Sequence, residues 1–357
     1  MVIVILVSCA VLIGISYLML QIMSGIVVTP DTTVKEEQAA GELVLPLQAE
    51  RVEAMQFSYG GRYLAYIAGD ESGETELRVM EMDKGLESLW SSKIKGDTLA
   101  WSGRSARLIF EDGGDIFSLE AAGGTRDNLT QSQEIDYDPL PTPEGDRILW
   151  VSSSMPEGSE DQEFRVMDVN GSNSMYLAPY APLATWSPGG DRLITKYPFT
   201  IAQEEEKADS EYLQVIEPGG EGWELFAEGE GEIRCIWWPR EEKLYYMTTH
   251  LLKGKDELRG ILVRVDVDDP SIQADVASTD GLGSENDSYS FYPSRSGERL
   301  AYLGSEGLEY LDMEEKVIHR FPGLGAELPL AWDEVEGFIY YAGPEGIYRV
   351  SFEETLE

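Results

Sequence analysis

Between residues 43 and 357 short apolar runs alternate with tight clusters of Gly, Pro, Ser, Asp and Asn. The runs are rich in β-branched and aromatic residues and only four to seven residues long, which predicts β-strands joined by turns and no long helix. One stretch shows the rule: Trp186-Ser-Pro-Gly-Gly-Asp-Arg-Leu193. An aromatic residue ends one strand, Pro and Gly supply the turn, and Leu193-Ile194 begins the next strand.

Degenerate copies of this corner recur. They run from Phe57 to Leu64, Trp101 to Leu108, Pro141 to Ile148, Trp186 to Leu193, Trp237 to Leu244, Phe291 to Leu300 and Trp332 to Ile339. Six of the seven place the next strand's first apolar residue seven positions after the anchor; the corner at Phe291 is two residues longer. Anchors follow one another at steps of 40 to 54 residues. Several short strands per step of that length predict an all-β propeller. The repeat count gives seven blades, or six or eight if one weak repeat is misassigned. Second strands are expected at Tyr63–Ile67, Arg107–Phe110, Arg147–Val151, Lys243–Met247, Leu300–Leu303 and Phe338–Tyr341, with third strands after them.

The Trp186 corner, the run Phe164-Arg-Val-Met-Asp-Val-Asn-Gly171 and the triplet Asn128-Leu129-Thr130 together resemble the repeat of TolB-type β-propellers. The resemblance covers about residues 43–357. It implies the fold and little about activity, because such blades occur in translocation accessories, peptidase propeller domains and lyases. Pro141 in place of the aromatic anchor, and Asp333-Glu-Val-Glu-Gly337 as the last turn, depart from the repeat.

After Trp332 only 25 residues remain, enough for three strands, and Leu43–Gln48 is an orphan strand before the first repeat. Ring closure by that N-terminal strand solves both problems and removes an exposed sheet edge. The domain reading is therefore 1–28, 29–42 and 43–357. Residues 2–28 carry no charge, and as a helix they reach about 40 Å, which predicts a transmembrane anchor. The segment is too long for a cleavable signal and lacks a basic leader. Leu6-Val-Ser-Cys9 resembles a lipobox, but cleavage there would leave a signal of eight residues. Residues 29–42 are polar and acidic and read as a tether. No excess of Lys or Arg follows the apolar segment, which favours an extracytoplasmic propeller on a single-pass membrane protein.

Charge narrows the partners. With 66 acidic against 27 basic residues the net charge is −39, which excludes a nucleic-acid binder and favours envelope proteins or basic peptides. Two cysteines, Cys9 and Cys235, lie far apart in the chain, so no disulfide is expected and Cys235 reads as a buried apolar residue. Two histidines, His250 and His319, are too few for a three-His site or a His-Glu-x-x-His motif. No Gly-x-Ser-x-Gly elbow or phosphate loop is present. The favoured reading is a non-enzymatic protein- or peptide-binding scaffold. The alternative is a ligand-binding sensor, or a lyase- or hydrolase-like enzyme, acting on a cationic or carbohydrate ligand at the channel.

One pattern suggests a site. Carboxylates precede most anchors by three to five residues: Glu53, Asp97, Asp136 or Asp138, Glu232, Asp287 and Glu327. On innermost strands they predict an acidic ring at one channel mouth, able to take a basic peptide; no cofactor is expected, with Ca²⁺ the one candidate ion. Glu134, Asp136 and Asp138 alternate and would share one strand face. A strongly acidic chain also scatters acids over its strands without any site. Three charged insertions, Pro156–Glu163, Ala202–Glu211 and Thr248–Arg259, are expected as surface loops.

Overall fold

In the computed structural model the described residues are 32–352, apart from 38–40, 48–49, 84–86, 155–161, 197–209, 218–222, 231, 241, 252–257, 270, 281–289, 305–306 and 325. They form seven sheets, each built on an antiparallel meander of consecutive strands and two of them extended by an N-terminal strand, arranged as a seven-bladed propeller. The predicted transmembrane segment 2–28, with Cys9, lies outside the described residues. Among those that are described, no helix is long and apolar enough to cross a membrane.

The expected second strands are all present, and they explain why the chain reads as continuous apolar runs instead of strict alternation. In blade one, Tyr63, Ala65 and Ile67 pack towards blade two, against Trp101, Leu108 and Phe110. The alternate residues Leu64, Tyr66 and Ala68 pack the other way, against Tyr340, Ala342 and Ile347 of blade seven. Successive side chains point to opposite faces of a strand, so a sheet buried on both faces needs apolar residues at every position. Each junction between neighbouring blades has its own apolar cluster, from blades one and two round to blades seven and one.

The ring closes as the orphan strand required. Two N-terminal strands are present, β1 (Thr33–Glu36) and β2 (Glu42–Pro46). Strand β2 pairs antiparallel with Gly346–Ser351 as the outermost strand of blade seven, with Leu43 opposite Tyr348 and Pro46 opposite Gly346. The Arg349 guanidinium ties the same pair through Glu42 at 2.8 Å. The closing strand thus runs over Glu42–Pro46, and Gln48 lies outside the described residues.

Strand β1 falls in the stretch read as a tether. It adds a fifth, parallel strand to the outer edge of blade six, pairing Thr33 with Val317 through Glu36 with Arg320. All four of its residues are exposed, so backbone hydrogen bonds and not apolar burial hold it. Glu37, the next residue, accepts from His319 Nδ1 at 2.7 Å, and the His319 ring stacks on Tyr310 with centroids 4.4 Å apart. His319 is on an outer strand, and β1 covers it. The third insertion is also shorter than expected, because Thr248–Leu251 and Leu258–Arg259 extend the hairpin of blade five.

Two anchors shift. In blade six Pro293 pairs with Leu300, so Pro293, not Phe291, holds the anchor position and restores the seven-residue spacing. In blade five Trp238 packs back against Ile194 of blade four, as Trp186 packs back on blade three. Trp237 faces forward to Leu300 and Leu311 of blade six. Trp238 is therefore the anchor, and the corner that follows is one residue tighter, with Arg240 opposite Lys243.

Gly346 is the point where closure is most easily broken. Its φ is +142°, and a Cβ there would overlap the Leu45 carbonyl oxygen of β2. Gly346→Ala should cost about 3 kcal/mol in denaturant unfolding through strain and overpacking. Gly60→Ala, at φ +83° with open space around it, should cost about 1 kcal/mol. Equal effects would show that the β2 seam does not hold the ring.

Candidate functional site

The corners build the site. After each anchor comes a residue whose backbone clamps the turn: Ser58, Ser102, Thr142, Ser187 and Ser294 each donate N–H to the carbonyl five residues on, at 2.8–2.9 Å. In four of them the side-chain hydroxyl also accepts the N–H of that same residue, as Ser187 Oγ does from Arg192 at 3.0 Å and Ser58 Oγ from Tyr63 at 3.0 Å. This hydroxyl is buried, so replacing it would leave a backbone donor without its side-chain partner. The turn glycines adopt positive φ and also let corners touch: a Cβ on Gly103 would come within 2.6–2.7 Å of the backbone of Glu144 and Gly145.

The tryptophan anchors link blades. Trp101 Nε1 donates to Gln56 O at 3.0 Å, Trp186 Nε1 to Leu140 O at 2.9 Å and Trp332 Nε1 to Tyr292 O at 2.7 Å. In each case the acceptor lies on the preceding blade, next to its anchor. An aromatic residue at this place fills the junction and carries a donor to its neighbour.

These corners surround a funnel of about 810 Å³ at one end of the channel, and all seven blades line it. Its rim consists of the second turn residue of six blades, Tyr59, Gly103, Pro143, Pro188, Arg295 and Glu334, with Pro239 completing the circle at the tighter corner of blade five. Below the rim lie Trp101, Trp186, Trp238 and Trp332. Most polar side chains of the lining are already engaged. Gln56 Oε1 accepts Trp101 N–H at 2.9 Å, and the Thr142 hydroxyl donates to Asp146 at 2.6 Å. Glu334 accepts backbone N–H groups from Arg295 and Ser296 across the junction of blades six and seven.

Most of the predicted acids that are described lie outside the funnel. Innermost strands run towards the funnel, so their first residues sit at the opposite face, together with the strand ends that flank the insertions. Glu53 alone lines the funnel, with Arg51 at 4.0 Å. Asp97 and Glu327 are exposed. Glu232 pairs with Arg234 at 2.6 Å, and Asp287 lies outside the described residues. Asp136 is buried inside blade three, where it accepts from Trp150 Nε1 at 3.0 Å, Ser152 Oγ at 2.6 Å and Ser132 Oγ at 2.8 Å. The alternation of Glu134, Asp136 and Asp138 is broken: Asp138 has φ +50°, and the pairing register shifts just after Tyr137.

Cys235 is a buried apolar residue as expected, and burial pushes its thiol up to about 12. Sequence reasoning followed anchors and acids and missed the rim. The signal was there at the second turn position, where Tyr59 and Arg295 stand in place of the turn-forming Gly103, Pro143 and Pro188 of blades two, three and four.

No protein-family model matches the sequence, and no curated protein matches it. Its likeness to known proteins is structural. An oligogalacturonate lyase from Vibrio parahaemolyticus superposes with a TM-score of 0.62 at 8% identity, covering 90% of this chain and 93% of that one. An oligogalacturonate lyase in complex with manganese gives 0.61 at 11% identity, with 84% and 88% covered. The propeller domain of the trilobed protease from Pyrococcus furiosus gives 0.59 at 10% identity, with 86% and 94% covered. That domain has an open velcro topology, whereas β2 closes this ring. TolB from Acinetobacter baumannii is also similar, at a TM-score of 0.47 and 11% identity, covering 78% of this chain and 75% of that one. At these identities the likeness establishes the propeller fold.

The manganese complex corrects the expectation of no cofactor with Ca²⁺ as the one candidate ion: the metal recorded on this fold is manganese. The described residues do not fit a metal of either kind. Among the described residues no three His, Cys, Asp or Glu are gathered. His250 contacts Thr248 in blade five, and His319 is held by Glu37 in blade six.

Two carboxyls of the corners differ in pH response. Burial holds the Asp333 carboxyl above the usual carboxylate range, so its contribution to stability falls as pH rises through that range. The Ser187 hydroxyl, at 2.7 Å, holds Asp191 below the usual range, so its contribution is present above that range and lost as pH falls. Asp333→Asn should therefore leave stability at neutral pH unchanged or raised, and Asp191→Asn should lower it. Both differences should shrink at about pH 3 in urea unfolding; an Asp333→Asn variant that is less stable only at neutral pH would reverse the assignment.

Proposed function

We propose that this protein is a non-enzymatic binding propeller that takes up a polypeptide segment at the funnel. The carrying observation is the lining: aromatic and proline side chains from all seven blades, with most polar side chains committed to the turns that hold them. Such a surface offers large, rigid contact area at low conformational cost. Among the described residues its lining holds no His, Cys or Lys, and so none of the usual nucleophile–base pairs built on them. Residues 2–28 hold the propeller at a membrane on its extracytoplasmic side, and envelope proteins are its partners. The net charge of −39 favours segments that are basic or neutral.

One observation favours a second reading, a small-ligand sensor or a lyase- or hydrolase-like enzyme. The funnel volume is that of a small-molecule pocket, about 300–1,000 Å³. The committed polar side chains argue against a hydroxyl-rich ligand, which needs several free donors and acceptors.

Full-length protein carrying a photo-crosslinking residue at Val335, an exposed position on the rim, should form adducts with polypeptides in native membranes. The same probe at Met175, exposed on the outer strand of blade three, should not. Deleting residues 2–28 should move the protein to the soluble fraction. Equal labelling at both positions, or turnover of an oligosaccharide by the purified protein, would replace the first reading by the second.

A further inference from the structure

Arginines in this acidic chain are generally held by acids. Arg62 meets Glu81 at 2.7 Å, Arg107 meets Glu120 at 2.7 Å, Arg320 meets Glu309 at 2.7 Å and Arg349 meets Glu42 at 2.8 Å. Two rim arginines differ. Arg104 of blade two and Arg295 of blade six are both exposed and line the funnel, and among the described residues neither guanidinium has a carboxylate within salt-bridge distance. One acid of the rim, Glu334, has its carboxylate turned to the backbone N–H groups of Arg295 and Ser296.

Both guanidiniums converge on one ring. Tyr59, on the corner of blade one, is 48% exposed. The Arg104 guanidinium carbon lies 5.5 Å from its ring centroid, and that of Arg295 lies 4.9 Å away. Blade two adjoins blade one, whereas blade six is separated from it by blade seven, so the Tyr59 ring meets guanidiniums from both sides of its own blade. Cation–π contact orients the two guanidiniums without neutralising them. The result is two guanidiniums without a salt bridge among the described residues, gathered over an aromatic well with Glu334 beside one of them, on a molecule whose net charge is −39.

We infer that Arg104, Tyr59 and Arg295 form a carboxylate clamp that receives the free C-terminal carboxylate of a peptide whose last side chains enter the funnel. The inference rests on the reading of the funnel as a peptide site and names its chemistry. Guanidinium forks match a carboxylate in geometry and form charge-assisted hydrogen bonds to it. The Trp and Pro walls suit an apolar terminal residue. The innermost strands pair on one side only, and the main-chain groups of their other edges that Gln56 and the tryptophan indoles do not engage are the ones a peptide main chain would meet. An acidic sugar carries the same carboxylate, but the committed polar side chains leave few partners for its hydroxyls. At long range the acidic surface repels acidic peptides, so the clamp selects a terminus on a neutral or basic body.

The test uses the full-length protein in detergent and follows tryptophan fluorescence. The probes are hexapeptides ending in Phe, Leu or Ala, each with a free or an amidated C-terminus, and galacturonate. Free-acid peptides should bind roughly tenfold or more tightly than the amides. Arg104→Gln and Arg295→Gln should each weaken the free acid and leave the amide unchanged, and the double variant should abolish the preference; Arg264→Gln, away from the rim, should retain it. Thermal melting of each variant separates loss of the clamp from loss of fold. If acid and amide bind equally while Tyr59→Ala weakens both, the funnel takes peptides and the clamp is overturned. If no peptide binds, or only galacturonate does, the peptide reading falls with it.

Discussion

A β-sheet with two apolar faces cannot stop in water on either side. In this protein residues such as Tyr63 and Leu64 are both buried, one against blade two and the other against blade seven. Each blade therefore needs two neighbours, and a ring satisfies every blade at once. The seven junction clusters are the core, which is divided into wedges instead of forming one central mass. Closure of the last junction depends on β2, because the C-terminal repeat supplies only three strands of its sheet.

The same packing makes the site. Wedge-shaped blades bring their innermost strands to a common axis, and the corners at the strand ends meet around the mouth. Buried Ser and Thr side chains shape these corners from below, and Trp101, Trp186 and Trp332 tie each to its neighbour by an indole N–H. What remains free at the rim is the residue that the turn does not need for its own hydrogen bonds. That position varies without disturbing the fold, as binding residues on a rigid scaffold commonly do. Tyr59 and Arg295 occupy it.

Charge is distributed unevenly between the two faces. Most of the acids found by spacing stand at the far ends of the innermost strands or inside a blade, and Asp136 serves Trp150 and Ser152 instead of the channel. The N-terminal stretch is fixed in its own way. Thr32 accepts a hydrogen bond from Ser278 of blade five, β1 lies along blade six and β2 completes blade seven. The chain thus binds three blade edges before it enters the first repeat.

Strand identity, corner chemistry and the need for closure were legible in the sequence, because they depend on local patterning and on a count of strands. The anchor Pro293 was not, since an aromatic two residues earlier imitated it and only the register with Leu300 distinguishes the two. Strand β1 was hidden because its side chains stay exposed and backbone pairing leaves no hydrophobic period. The acids were legible only as far as strand position goes: it says which end of the channel a residue is near, but not whether its side chain meets solvent, as Asp97 does, an arginine, as Glu232 does, or a tryptophan N–H, as Asp136 does. The meeting of Arg104, Tyr59 and Arg295 belongs to tertiary structure alone, because 45 and 236 residues separate Tyr59 from the two arginines along the chain and only closure of the ring brings their corners to one mouth.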